Sequence, residues 1–295
     1  QCFGGRRYWS FGKIEYVKLF KHASFYDELL CYHAYQEYYI LGYEGSFMKS
    51  DVPSSVYRKA SITEIRNHQL GILETVHEFC EQQHIEYFLF FGTLLGAVRH
   101  KGYIPWDDDI DIAMLRPDYQ RFLKEFNSYS ERYKVLSCQN IIDFPYVFSK
   151  VVDKNTILYE MVAGKNYLLG INIDLFPLDY LPGSINEQNR LMKRIEKKML
   201  CIELFRLSPR INRPWYKNAL VSALNLYFHN DYIYRCCKEV DHAMQLYTNS
   251  QYVGTYIDRE KEIFEVGDIL PRGMKTFEHR QFYVPRKYDV VLRTL

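Results

Sequence analysis

Four aspartates crowd five positions of the stretch GTLLGAVRHKGYIPWDDDIDIAML, residues 92–115: Asp107, Asp108, Asp109 and Asp111. They stand just before an apolar run. Like charges beside a core strand repel one another and lose water, so the fold must leave them in solvent or bring a cation to them. The segment Asp109-Ile110-Asp111-Ile112-Ala113-Met114 alternates with a period of two, as a half-buried strand does. Ile110, Ile112 and Met114 point to one face, the core. Asp109 and Asp111 point to the other, with Cα atoms roughly 7 Å apart. Two carboxylates at that spacing can share a divalent cation, and hard oxygen ligands suit Mg²⁺ or Mn²⁺. Asp107 has the parity of this pair. Asp108 has the opposite parity and is expected to serve the loop. Charge alone favours a plainer reading, a solvated acidic loop.

A second strand, GINIDLFPLDY at 170–180, repeats the logic: Ile171, Ile173 and Leu175 face inward, Asn172 and Asp174 outward. If the two strands are neighbours, Asp174 becomes the third acid of one site. Before the acids, EYFLFFG (86–92) reads as a central strand, apolar on both faces. In the loop expected after it, Gly92, Thr93 and Gly96 let backbone amides approach a phosphate. Arg99, His100 and Lys101 follow, either as phosphate contacts or as a solvated turn. Trp106 can stack on a base, cover a metal site or simply pack. Lys150, in the strand YVFSKVVD (146–153), reads either as an ion pair at the sheet edge or as a donor-phosphate contact.

The rest of the chain sets the frame. A chain of 295 residues, 47% hydrophobic and 25% charged, is of globular composition. A net charge of +2 gives no general pull toward nucleic acid, and none is expected as a partner. Seven cysteines without a CxxC pair read as reduced, buried thiols and a cytoplasmic location. Residues 1–57 are rich in aromatics and end near Pro53-Ser54-Ser55, which suggests a helical appendage. The domain of 58–295 starts with a capping box, Ser61 to Glu64, on a helix reaching Gln83. Pro117 and Asp118 start another helix. Helices are expected at 186–207, 214–228 and 231–248, with short strands at 252–257 and 278–284. The order gives an α+β fold: a mixed sheet with flanking helices and a helical C-terminal lobe. In the 186–207 helix, Leu191, Met192, Ile195, Met199, Ile202 and Phe205 oppose Arg190, Lys193, Arg194, Lys197 and Lys198. That helix either packs on the core with a solvated basic face or lies on an anionic membrane.

GTLLGAVRHKGYIPWDDDIDI followed by GINIDLFPLD closely resembles the LicD/fukutin family, and the likeness extends over roughly 58–295. The resemblance implies a nucleotidyltransferase-like fold that moves a phosphorylated alcohol from a CDP-activated donor to a glycan. Bacterial members attach phosphocholine to surface polysaccharides, and animal members transfer ribitol phosphate. Asp109 and Asp111 match the family's metal-binding pair, Asp107 the acid before it, and Asp174 the acid of the later strand. Gly92 and Thr93 match the donor-phosphate turn. The end, YVPRKYDVVLRTL, looks like the family's closing segment without its Tyr-Gly motif, so the expectation is of a truncated C-terminus.

The expectation is therefore a Mg²⁺- or Mn²⁺-dependent phosphotransferase. Asp109, Asp111 and Asp174 act in catalysis. Asp107, Asp109 and Asp111 hold the metal. Gly92, Thr93, Gly96, Arg99, Lys101, Trp106 and Lys150 bind the substrate. A CDP-alcohol is the donor, most naturally CDP-choline. A glycan or glycolipid is the acceptor, such as a lipopolysaccharide or teichoic acid, and this admits peripheral contact at the inner face of a membrane. The alternatives are a nucleotidyltransferase working on an NTP and a non-catalytic scaffold of the same fold.

Overall fold

The computed structural model describes residues 13–20, 57–141, 144, 146–162, 165–206, 214–227, 230–255 and 262–295. In chain order the elements are β1 (Lys13–Phe20), β2 (Tyr57–Lys59), α1 (Ile62–Gln83), β3 (Phe88–Leu89), α2 (Phe91–Arg99), β4 (Asp111–Leu115), α3 (Arg116–Tyr129), β5 (Tyr133–Leu136), β6 (Ser149–Val162), β7 (Lys165–Tyr180), α4 (Ile185–Arg206), α5 (Trp215–Tyr227), α6 (Asn230–Met244), β8 (Tyr252–Thr255), β9 (Glu262–Glu265), α7 (Val266–Ile269), β10 (Gly273–Phe277), β11 (Arg280–Val284) and α8 (Tyr288–Thr294).

The main sheet runs β2-β1-β6-β7-β4-β3, with β5 also on β6 and β8 joining β7 to β9. Its pairs are antiparallel except β4 with β7, which is parallel. A mixed sheet with helices around it is the expected α+β architecture. The parallel pairing sets the first residue of β4 against the middle of β7. Asp111 faces Asp174, and the Asp174 amide donates to the Ile110 carbonyl at 2.8 Å. The conditional adjacency of the two acidic strands is thus met.

Helix α1 begins as its sequence dictates. The Ser61 hydroxyl accepts from the Glu64 amide, and the Glu64 carboxylate accepts from the Ser61 amide at 2.9 Å. Its apolar side, including Ile72, Leu73, Val76 and Phe79, enters the core. There Phe79 meets Phe122 and Phe126 of α3, which starts at Arg116 with Pro117 in its first turn.

Three elements depart from expectation. The 86–92 segment is not a central strand: only Phe88 and Leu89 pair, at the sheet edge, and Phe91 already starts α2. Phe88, Leu89 and Phe90 are fully buried nonetheless, so burial on both faces does not distinguish an edge strand under cover from a central one. Phe91, at φ 41°, occupies the left-handed region and turns the chain out of extended geometry. Of the N-terminal appendage, Lys13–Phe20 is a strand rather than a helix, paired with β6; residues 1–12 and 21–56 lie outside the described residues. The hairpin β10–β11 extends the single strand expected at 278–284 back to Gly273.

Leu191, Met192, Ile195, Met199 and Ile202 of α4 lie in the core, which leaves the basic side of that helix outward. The Phe205 side chain lies outside the described residues. Cys80, Cys138, Cys236 and Cys237 are buried thiols. Among the described residues, no helix is long and apolar enough to cross a membrane.

Candidate active site

The acidic centre is built from the loop 107–110, the first residue of β4 and Asp174 in the middle of β7. Asp111 and Asp174 are buried and abreast. Paired positions on adjacent strands send their side chains to the same face, so the two carboxylates share one environment. Asp107, Asp108 and Asp109 bring carboxylate oxygens within 4.8 Å of one another. Asp108 belongs to this cluster, contrary to its parity, because 107–110 is irregular and strand alternation begins only at Asp111.

The charges are poorly balanced. Burial, then the Asp107 and Asp174 carboxylates, push Asp109 up to about 8. Burial, then Asp109 and Asp174, raise Asp111 well above the usual carboxylate range. Burial also lifts Asp174 to about 6 against the pull of Lys150. Repulsion of this kind is what a cation relieves. Hard oxygens clustered with uncompensated charge fit Mg²⁺ or Mn²⁺.

The cation bonded to Asp174 is Lys150. Its ammonium donates to Asp174 Oδ1 at 2.6 Å and Asn172 Oδ1 at 3.1 Å, and lies 3.5 Å from Glu160. Tyr146 donates to Glu160 at 2.6 Å, and the Lys150 ammonium sits 4.8 Å from the Tyr146 ring centre. Burial works against this ammonium, yet Asp174 and Glu160 hold its pKa above the ordinary lysine value. Lys150 is not at a sheet edge, since β6 lies between β1 and β7. Its charge is committed to Asp174 and Glu160.

The loop carrying the acids is clamped from α1. Arg66 Nη2 donates to the carbonyls of Ile104, Pro105 and Asp107, the last at 2.6 Å. Gln69 Nε2 donates to the carbonyls of Asp108 and Asn172, tying the acidic loop to β7. From below, Thr93 accepts the Asp111 amide at 2.8 Å. The sequence pattern does not single out Arg66, Gln69 and Glu160; their contacts span from 10 residues in chain separation for Lys150–Glu160 to 103 for Gln69–Asn172, and no local pattern announces them.

The remaining expected residues divide. Gly92 stands in the first turn of α2, not in a loop, and a Cβ there would come within 2.7 Å of Asp107 Oδ2, so only glycine lets that carboxylate settle against the helix. Thr93 is buried, its hydroxyl oxygen spent on β4. Gly96 abuts the Gly102 carbonyl and is a packing glycine. Arg99 is exposed in the last turn of α2, about 10 Å along the axis from Gly92. Lys101 is exposed, and its carbonyl accepts the Glu278 amide. These two are not drawn into the acidic centre. Trp106 adjoins the acids in sequence and is 83% exposed, which removes the packing reading and leaves its ring open to a ligand.

The acids thus stand abreast on adjacent parallel strands of an α+β domain. In the family comparison, residues 84–211 match the model described as LicD/FKTN/FKRP, nucleotidyltransferase domain. The chain is 35% identical over 139 residues to the lipopolysaccharide cholinephosphotransferase LicD of Haemophilus influenzae, covering 46% of this chain and 51% of the relative. It is 33% identical to uncharacterised proteins of Rickettsia typhi and Rickettsia prowazekii, over 51% of this chain and 54% and 64% of theirs. The chain thus spans between 51% and 64% of the curated relatives it matches.

Proposed function

We propose that this protein is a metal-dependent phosphotransferase of the LicD type. It moves a phospho-alcohol, phosphocholine in the first instance, from a CDP-activated donor to a hydroxyl of a cell-surface glycan or glycolipid. The observation that carries the reading is the pairing of Asp111 with Asp174 within electrostatic reach of the Asp107–Asp108–Asp109 cluster, with more negative charge than Lys150 can balance. The printed activity of the Haemophilus relative supports the choice of phosphocholine and of a lipopolysaccharide-like acceptor. Buried thiols fit a reducing, cytoplasmic setting.

Asp107, Asp109 and Asp111 would hold Mg²⁺ or Mn²⁺, which when bound neutralises charge on the donor diphosphate. Asp174 takes the proton of the acceptor hydroxyl. Its Oδ1 is held by Lys150, so the carboxylate is fixed in orientation while it titrates near 6, close to the working range of a general base. The acceptor oxygen forms a bond to the β-phosphorus, on the alcohol side. The bond from that phosphorus to the bridging oxygen breaks, and CMP leaves with the bridging oxygen. The exposed Trp106 ring offers a face on which the cytosine stacks.

The test is product identity. The chain is incubated with Mg²⁺ and a panel of CDP-alcohols, then separately with nucleoside triphosphates. CMP release from one CDP-alcohol, dependent on an acceptor glycan, supports the reading. Pyrophosphate release from a triphosphate would replace it with nucleotidyl transfer. No turnover of either would leave a binding scaffold.

A further inference from the structure

The outer side of α5 brings three strongly exposed large apolar side chains together on one short helix. Trp215 is 81% exposed, Leu220 62% and Tyr216 56%. At 100° per residue, Trp215, Tyr216, Ala219, Leu220 and Ala223 fall within about 140° of arc, a continuous apolar face. Residues 219 and 223 are exposed with them. Val221, on the opposite side, is the residue buried against the protein. A soluble surface seldom presents adjacent Trp and Tyr with a leucine one turn on unless something covers them.

The charge around this face says what covers it. Helix α5 has one charged residue, Lys217, which is exposed and flanks the apolar arc. From Leu204 to Asn230 the sequence has no Asp or Glu, while the whole chain carries only +2. Neighbouring α4, which packs against α5, turns Arg194 and Lys197 outward because its apolar stripe is spent on the core. Aromatic residues at one end, an apolar face and a basic surround are the requirements for lying in the headgroup region of an anionic bilayer. A helix of 13 residues is about 20 Å long, enough to lie in that plane and too short to span it.

We infer that α5 is a membrane-surface helix: Trp215, Tyr216 and Leu220 enter the interface of an anionic lipid bilayer, and Lys217 with the outward cations of α4 meets its phosphates. The membrane contact admitted by the sequence therefore belongs to α5 and not to the apolar stripe of α4. Docking there would hold the protein at a surface where lipid-linked acceptors reside, but the inference does not depend on the reaction assigned above.

The experiment is sedimentation of the full chain with vesicles of phosphatidylcholine alone and of phosphatidylcholine containing about one quarter phosphatidylglycerol. Partitioning is expected to be about tenfold or more stronger onto the anionic vesicles and to weaken as salt is raised. Leu220→Asp and Trp215→Ser should each lower it about tenfold while leaving the thermal midpoint unchanged, since both side chains are exposed. Wild-type chain that ignores anionic vesicles, or variants that bind as wild type does, would overturn the inference. So would a wild-type dimer, seen by light scattering, that Leu220→Asp dissociates while vesicles have no effect; the face would then join two copies. None of these readouts involves phosphotransfer, so the vesicle and CMP-release experiments fail separately.

Discussion

The stretch over which β4 and β7 pair in parallel carries buried charge at both ends, and the two ends are handled differently. At the far end, Arg116 forms a fork onto Asp179, at 2.6 and 2.8 Å, and reaches Asp241 of α6 at 2.6 Å. Gln139 and Gln245 complete the Asp241 carboxylate at 2.8 Å each. Burial opposes the Arg116 charge, but Asp179 and Asp241 hold its pKa above the usual arginine value. Burial raises Asp179 as well, against the pull of Arg116, but here each carboxylate is bonded to the guanidinium and the one excess charge is met by two glutamine amides. At the near end, Asp109, Asp111 and Asp174 share Lys150, and all three are pushed up. Buried charge alone therefore does not mark a site; charge left over after the local partners are counted does.

This contrast is broken most directly by neutralising each end in turn. Asp109→Asn and Asp111→Asn should each lower turnover by about 10³-fold or more, from the several kcal/mol of charge stabilisation a catalytic metal supplies. In the absence of metal their urea midpoints should stay level or rise, because a repelling charge has gone. Steady-state kinetics beside urea unfolding checks both halves. A variant with near-normal turnover at saturating Mg²⁺ would remove the assignment.

Arg116→Met should do the reverse. It strands Asp179 and Asp241 with no counter-charge, and breaking a buried pair in this way costs about 3–5 kcal/mol. Urea unfolding should show that loss. A cost under about 1 kcal/mol would mean that the node is not a closed structural pair.

Next in size is Asp174→Ala. Removing a general base should lower kcat by about 10²-fold or more, with KM little changed where binding equilibrates before chemistry. A raised KM at normal kcat would instead place Asp174 in donor binding.

The pH effect is smaller. Asp109 sits at about 8 in the folded chain against an ordinary value of 3.8, so between these values the folded state binds the extra proton. Stability is full below the ordinary value and is lost as pH rises through the window. The metal-free thermal midpoint should be lower at about pH 9 than at about pH 6, and Asp109→Asn should flatten the slope. An identical slope in the variant would assign the effect elsewhere.

Much of the near end was legible in the sequence because a period of two needs only one strand to read. The alternation in IDIAM and INIDL puts Asp111 and Asp174 on one face each, and the pairing of those strands completes the site. The irregular loop was not legible: parity assigned Asp108 away from the acids, but 107–110 has no strand geometry for parity to act on. FLFFGTLLG hid a helix start, since an apolar run has no period that separates strand from helix until the backbone at Phe91 turns left-handed. The β10–β11 turn passes through Glu278-His279, without the Gly, Pro or Asn that usually marks a hairpin, and Glu278 takes the left-handed φ of 55° itself. The far end gave no sign at all, because Arg116, Asp179 and Asp241 lie 63 and 125 residues apart.

The central claim is that the near end is short of one divalent cation, and thermal unfolding during a Mg²⁺ titration tests it without reference to any substrate. A ligand that binds only the folded chain stabilises it by about 2.7 kcal/mol at one hundred times its Kd, so the wild-type midpoint should climb by several degrees as Mg²⁺ is added. Asp111→Asn should show no such climb, while Arg116→Met, destabilised from the start, should climb in parallel with wild type. A flat wild-type titration, or an equal climb in Asp111→Asn, would contradict the account.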